Sequence, residues 1–273
     1  MKRLCGLFCS TVGQKIVMAL TGLMLVGFVI GHLVGNLQLL LPGEYYFLGF
    51  NKYALHLEKL GPALWLIEVA LIGILLCHVV YGALINWRAL MARPSRYASE
   101  KTKGGESKNN FASRNMLLLG VFVLAFIVLH VWQFKFGPGG PGNPNSAYET
   151  TLHGEQMRDL HKLVVETFKN PAWVTFYVGF LVLLGFHLRH GVWSAFQSLG
   201  AMPGGISKLA YAAGGVLAVL LVVGFVFMPI WILWDPLSLY DDIERRRGSS
   251  VAGQLELQHE ADDVNTTVKS ALF

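Results

Sequence analysis

Charge is what this sequence has least of. Only 14% of its 273 residues are Asp, Glu, Lys or Arg, where a soluble domain carries roughly 25%. Hydrophobic residues make up 53%, and the mean hydropathy is +0.48. That balance excludes an ordinary soluble domain and leaves an integral membrane protein. Cysteine is nearly as scarce: Cys5, Cys9 and Cys77 make no disulfide framework, and the CxxxC spacing of the first two is weak as a metal signal. Cys5 and Cys9 read as reduced cytoplasmic-side thiols, and Cys77 lies inside a span. No CxxCH occurs, which excludes a covalently attached c-type haem. The net charge of +5 has no basic, aromatic-laced surface behind it, so it reports membrane topology and not nucleic-acid binding. There is no internal repeat and no recognisable cleavable leader. The first apolar run is about 25 residues long without a small-residue cleavage site, so it reads as a retained span.

What the chain does have is five apolar stretches long enough to cross about 30 Å of hydrocarbon. They run approximately Ile16–Leu41, Pro62–Trp87, Arg114–Phe136, Pro171–Leu199 and Ile206–Trp234. Pro62 and Pro171 sit in first turns, where a missing N–H costs nothing, and Pro42 and Pro236 follow spans as stops. The expected fold is therefore an all-α integral membrane protein: a five-helix transmembrane bundle over 1–235 and a loose polar tail over 236–273. Lys2, Arg3 and Lys15 precede or open the first span without an acid. The 88–114 connection carries seven Lys or Arg against Glu100 and Glu106, while 42–61 and 135–171 are balanced. The positive-inside rule then puts the N-terminus and the 88–114 loop in the cytoplasm, and the C-terminus outside. Arg245–Arg247 fits this poorly, although eight acids lie from Asp235 to the end of the chain. The loop around 99–110 is Gly/Ser/Lys-rich, 137–147 is too rich in Gly and Pro for a regular element, and 148–169 is amphipathic enough for a short interfacial helix.

Four spans each carry a deep histidine: His32, His78, His130 and His187. Ionisable groups inside a span face the bundle interior and mark function. Each lies about 16 residues into its helix, and the helices alternate in direction, so the four sort into two levels roughly 10–15 Å apart. His32 and His130 form the outer level, His78 and His187 the level nearer the cytoplasm. Two axial nitrogens per level are what two six-coordinate b-type haems stacked inside the bundle require. Taken singly, each histidine is as well explained by an interhelical hydrogen bond; the depth-matched set points to haem.

Glycines accompany these positions. His78–Gly82 and His187–Gly191 share the spacing HxxxG, and Gly27, Gly31 and Gly35 make a stripe beside His32 that serves helix packing, haem contact or both. His190, three residues from His187, either replaces it as ligand or pairs with a propionate; Gly191 one turn on favours His187. Arg189 and Lys15, towards the cytoplasmic side, suit haem propionates. Arg114 serves the same purpose or anchors at the headgroups. Trp87, Trp132, Trp193, Trp231 and Trp234 read as an aromatic belt, and Trp193 is also a candidate haem contact. Glu68 is a lone acid that either relays protons, contacts quinone or snorkels. His56, His153, His161 and His259 fall in loops or tail and read as solvated.

In series, these residues resemble a known family. Ser10-Thr-Val-Gly-Gln-Lys15 runs into Met18-Ala-Leu-Thr-Gly22 and His32-Leu-Val-Gly-Asn36. Asn51-Lys-Tyr53, His78 with Gly82, Ala92-Arg-Pro94 through Tyr97, Ser113-Arg-Asn115, Phe186-His-Leu188 and Gly191-Val-Trp193 follow in order. Over about residues 10–235 the chain resembles the cytochrome b membrane anchor of succinate dehydrogenase and fumarate reductase, in its single-chain, five-helix, di-haem form. Each motif is loose alone and specific in series. The resemblance implies that His78 and His187 hold the haem nearer an iron–sulphur subunit, and His32 and His130 the distal one. It implies a flavoprotein and an iron–sulphur subunit docked on the cytoplasmic face of the cell membrane, with the dicarboxylate site on another chain. Electrons would pass through the haems to a quinone (menaquinone or ubiquinone), with Ser10, Gln14 and Arg114 as candidate quinone contacts. The proton-moving, fumarate-reducing branch of that family has a glutamate two residues before the fourth histidine; here the position is Gly185, which favours succinate oxidation. The alternatives are a di-haem cytochrome b of another respiratory complex (a hydrogenase or formate dehydrogenase), an ascorbate-type reductase, or a transporter or anchor without haem. Trimerisation or other higher assembly stays open.

Overall fold

The computed structural model describes residues 10–40, 46–92, 111–152, 155–201 and 207–234. The expectations for Cys5 and Cys9, the loop at 99–110, the Ala92–Tyr97 motif beyond Ala92, His153, His259, Arg245–Arg247 and the tail at 236–273 lie outside these residues, as do Pro42 and Pro236.

Helix α1 runs Thr11–Asn36 and starts earlier than its apolar run, because Ser10 caps it: the Ser10 hydroxyl accepts the Gly13 N–H at 3.0 Å. A 3-10 turn, Leu37–Leu40, prolongs it. A second helix, α2 (Tyr46–Glu58), occupies what reads in sequence as a plain connection. Gly61, at φ 54°, turns the chain so that Pro62 opens α3 (Pro62–Met91). The single turn α4 (Phe111–Arg114) is separated from α5 (Met116–Phe134) by Asn115, whose side-chain amide donates to the Phe111 carbonyl at 2.9 Å. Strands β1 (Glu149–Leu152) and β2 (Glu155–Arg158) pair antiparallel, Glu149 opposite Arg158, and lead into α6 (Leu160–Phe168). The long helices α7 (Pro171–Ser198) and α8 (Ser207–Trp234) complete the chain.

Five of these segments are long and apolar enough to cross a membrane: Thr11–Leu40, Pro62–Met91, Met116–Phe134, Pro171–Ser198 and Ser207–Trp234. The fold is thus a helical bundle with five candidate membrane spans, close to the five expected. Helix α7 is central, packing on α1, α5 and α8, while α3 packs on α1. No residue of α3 is buried, so its apolar surface suits lipid. Close approach of α7 and α8 depends on Gly185, where a Cβ would stand 2.7 Å from Val222 Cγ2. Contacts such as Arg88 with Gln14 and Thr21 with His78 make α1 and α3 antiparallel.

The segment expected as one interfacial helix over 148–169 is instead a hairpin followed by a short helix. Together with α2 it caps the end of the bundle opposite Thr11. Asn51, Asp159 and His161 are fully buried there. Asn51 donates through Nδ2 to Asp159 Oδ1 at 3.0 Å and accepts the His161 backbone N–H at 2.9 Å; Asp159 also caps α6 through the Lys162 N–H. His161 is therefore not solvated, because α2 covers the polar face that the sequence leaves open. Burial holds its imidazole down at about 4, despite the opposing Asp159 charge. His56, by contrast, is exposed, though on α2 and not in a loop. Apolar residues of this cap (Leu39, Phe50, Val165, Phe168) share one core with Tyr177 of α7 and Met228 of α8.

Candidate functional site

The interior of the bundle brings the four deep histidines together as two pairs. His32 on α1 faces His130 on α5, with ring centres 5.7 Å apart and planes at 86°. His78 on α3 faces His187 on α7, at 6.3 Å and 68°. Thr21 of α1 touches His78, and His32 lies 11 positions further along the same helix, so the levels stand roughly 15 Å apart. It is His187 and not His190 whose ring faces His78.

Each pair has the donors that a bis-imidazole haem would need. Two imidazoles that would hold one metal between them, at about 2 Å from each nitrogen and about 1 Å more to each ring centre, would have ring centres about 6 Å apart. Both pairs meet that spacing. Among the described residues no three His, Cys, Asp or Glu side chains cluster as a metal site of their own; a haem asks only for two, because the porphyrin supplies four nitrogens. The Nδ1 atoms of two histidines are held by hydroxyls: Thr21 Oγ1 lies 3.4 Å from His78 Nδ1, and Tyr177 Oη 3.4 Å from His130 Nδ1. His187 Nδ1 is buried without a hydrogen-bond partner among the described residues. Around the rings lie side chains of tolerant shape. A Cβ at Gly22 would stand 3.1 Å from His78 Cε1, and one at Gly120 3.5 Å from His187 Cε1. The flexible Met18 and Met116 face Gly82 and Gly191. Phe28 and Phe225 pack on His32, and Phe126 and Phe134 on His130. The donor set and its surroundings fit a haem at each level.

The other residues singled out in the sequence divide. Gly31 is exposed, with nothing within 4 Å of a Cβ position. Gly35 is buried under the Tyr53 ring and serves the junction of α1 with α2. Lys15 is exposed near the start of α1, and Arg114 is exposed at the end of α4. Arg189 is exposed on α7, donating to the Tyr211 hydroxyl at 2.8 Å and lying over its ring. Trp193 is buried edge-on to that same Tyr211, unlike the exposed Trp87, Trp132, Trp231 and Trp234 that suit an interfacial belt. His190 is half-buried one turn from His187. Gln14 is buried, and Arg88 donates to its Oε1 at 2.8 Å; Ser10 is used as the α1 cap. Glu68 is paired with Lys135 at the opposite end of the bundle. Cys77 is an exposed free thiol on α3.

Gly120, Gln133 and Tyr177 were not singled out by sequence, and Thr21 and Gly22 entered only as members of the Met18–Gly22 motif, without a role. A hydroxyl or glycine within an apolar helix is commonplace, and its relation to a histidine depends on how two helices rotate against each other. Fold and site together define a helical, multi-pass type of membrane protein with two inward histidine pairs. No family model matches the chain, and no curated protein or solved structure matches it.

Proposed function

We propose that this protein is a di-haem cytochrome b, the membrane anchor of a succinate:quinone oxidoreductase. The observation that carries the di-haem part is the pairing of His32 with His130 and His78 with His187 at bis-imidazole spacing on two levels. The succinate part rests on the ordered motifs from Ser10 to Trp193 and their resemblance to that family of anchors. A haem at each level supplies a one-electron relay, so the pair carries electrons along the bundle axis.

The chain's own residues do the rest. His78 and His187 hold the centre nearer the basic, cytoplasmic end, where an iron–sulphur subunit and a flavoprotein dock; His32 and His130 hold the distal centre. Phe126, Phe134 and Tyr177 exclude water around His130. Lys15, Arg189 and His190 lie towards the cytoplasmic end, where a haem's propionates need cations. Quinone binds near the same end, where buried Gln14, oriented by Arg88, and Arg114 offer polar groups to its carbonyls. A Cβ at Gly185 would stand 2.7 Å from Val222 Cγ2, so an acid two residues before His187 would require Val222 to move. That favours succinate oxidation over proton-compensated fumarate reduction.

The test is to purify the chain from its native membrane with whatever holds it and add succinate anaerobically. Copurification of a flavoprotein and an iron–sulphur protein, with reduction of the haem bands by succinate, is the expected result. Bands that respond to hydrogen or formate and not to succinate would assign the chain to another respiratory complex.

A further inference from the structure

We infer that Thr21 and Tyr177 are positioning residues that fix the tautomers of His78 and His130, and so set the donor strength of one nitrogen ligand at each level. The inference rests on the di-haem reading above and adds to it one hydroxyl contact that tunes a single ligand at each level.

The hydroxyl protons decide the matter. A serine-type or phenolic hydroxyl has one proton to donate and lone pairs with which to accept. Thr21 Oγ1 lies 2.8 Å from the Val17 carbonyl and 3.1 Å from that of Met18, both within α1. Its proton goes to those carbonyls, and its lone pair faces His78 Nδ1 at 3.4 Å, beside the Met18 backbone, which also hydrogen-bonds the His78 ring, so that hydroxyl and carbonyl share the imidazole proton. Tyr177 repeats the arrangement with different chemistry on a different helix. Its hydroxyl donates to Gln133 Oε1 at 2.7 Å, which leaves a lone pair facing His130 Nδ1 at 3.4 Å. In both cases the imidazole proton is drawn to Nδ1, and Nε2 keeps the bare lone pair that a metal needs.

At the lower level the histidine whose Nδ1–H donates to a hydroxyl, His78, then stands opposite His187, which makes no such donation among the described residues. His187 Nδ1 is buried with no hydrogen-bond partner among the described residues. An Nδ1–H that donates makes its ring more electron-rich and a stronger ligand, which favours oxidised iron. Tyr177 is itself buried among Phe126, Phe134 and Phe168, where a hydrogen bond is electrostatically stronger than in water. Thr21 and Tyr177 therefore lower the potentials of their respective centres, each acting on one level only.

The experiment compares wild type, Thr21→Val, Thr21→Ser and Tyr177→Phe as full-length chains in the native complex. Haem is counted per chain, and the two centres are followed separately by potentiometric titration and by electron paramagnetic resonance. Thr21→Val should shift the equilibrium of one centre about tenfold towards the reduced form, about 59 mV for one electron, and Thr21→Ser should restore it. Tyr177→Phe should shift the other centre in the same direction. If Thr21→Val loses a haem, retention of both by Thr21→Ser at wild-type potentials supports the hydroxyl's role, and loss in both variants overturns it. Two haems with unmoved potentials in the Val and Phe variants, or both variants shifting the same centre, overturn the inference and leave the di-haem reading standing. A wild-type chain with fewer than two haems overturns that reading instead.

Discussion

Replacing Asp159 with alanine removes two bonds at once from the capped end of the bundle. The carboxylate is fully buried, caps α6 through the Lys162 N–H at 3.0 Å, and accepts from Asn51 Nδ2 at 3.0 Å. Loss of an N-cap costs about 1 kcal/mol. Stranding the buried Asn51 amide costs about 1–3 kcal/mol more, so Asp159→Ala should destabilise the cap by about 2–4 kcal/mol. For a chain of this size that lowers the unfolding midpoint by about 5–10 °C. Asn51→Leu removes the same pair from the other side and strands the His161 N–H as well. The double variant should then cost less than the two singles together, by about 1–2 kcal/mol. The assay is thermal unfolding of detergent-purified protein, followed by near-ultraviolet circular dichroism. Because the cap shares its apolar core with Tyr177, the His32/His130 level should lose its spectroscopic signature before the His78/His187 level does. A midpoint moved by less than about 1 °C, or strictly additive single variants, would refute the reasoning.

Three further outcomes follow from the geometry. His187→Leu should remove one of the two haems, whereas His190→Leu should retain both; a pyridine haemochrome count on each variant separates them. Gly22→Val places branched methyls against the His78 ring, where a Cβ alone already stands at 3.1 Å, and should lower haem content at that level, while Gly27→Ala, with nothing within 4 Å, should not. His161 is uncharged at neutral pH because burial lowers its imidazole to about 4 in the folded state. Its unfolded counterpart protonates below about 6.5, so stability should fall as pH drops from about 6.5 to about 4, by up to about 3 kcal/mol. Denaturant titrations at pH 7 and 4.5 should show this slope in wild type and a flatter one in His161→Leu.

The bundle was legible in the sequence because a span must be continuous and apolar, and five runs satisfy that. The pairing of His32 with His130 and of His78 with His187 was legible too, since position along alternating helices converts directly into depth. What sequence did not reveal lies at the ends and in the rotations. Helix α2 is masked by Asn51, Lys52, His56 and Glu58, and Asn51 finds its partner Asp159 only 108 positions later. The hairpin hides inside an amphipathic stretch, although β-branched Thr150 and Thr151 favour a strand. His161 looks like a solvated loop residue until α2 covers it. Trp193 reads like the other tryptophans, yet its face of α7 meets Tyr211 on α8. Thr21 and Tyr177 could be assigned to their histidines only once the helix faces were set against each other.

The central claim is that two histidine pairs hold two haems, and the most direct measurement is a dithionite-reduced minus oxidised spectrum with haem quantified per chain in pyridine. Two b-type haems per chain, one of them lost in each of His130→Leu and His187→Leu, is the predicted result. An intact, folded chain that binds no haem would contradict the account and return the bundle to the transporters and structural anchors.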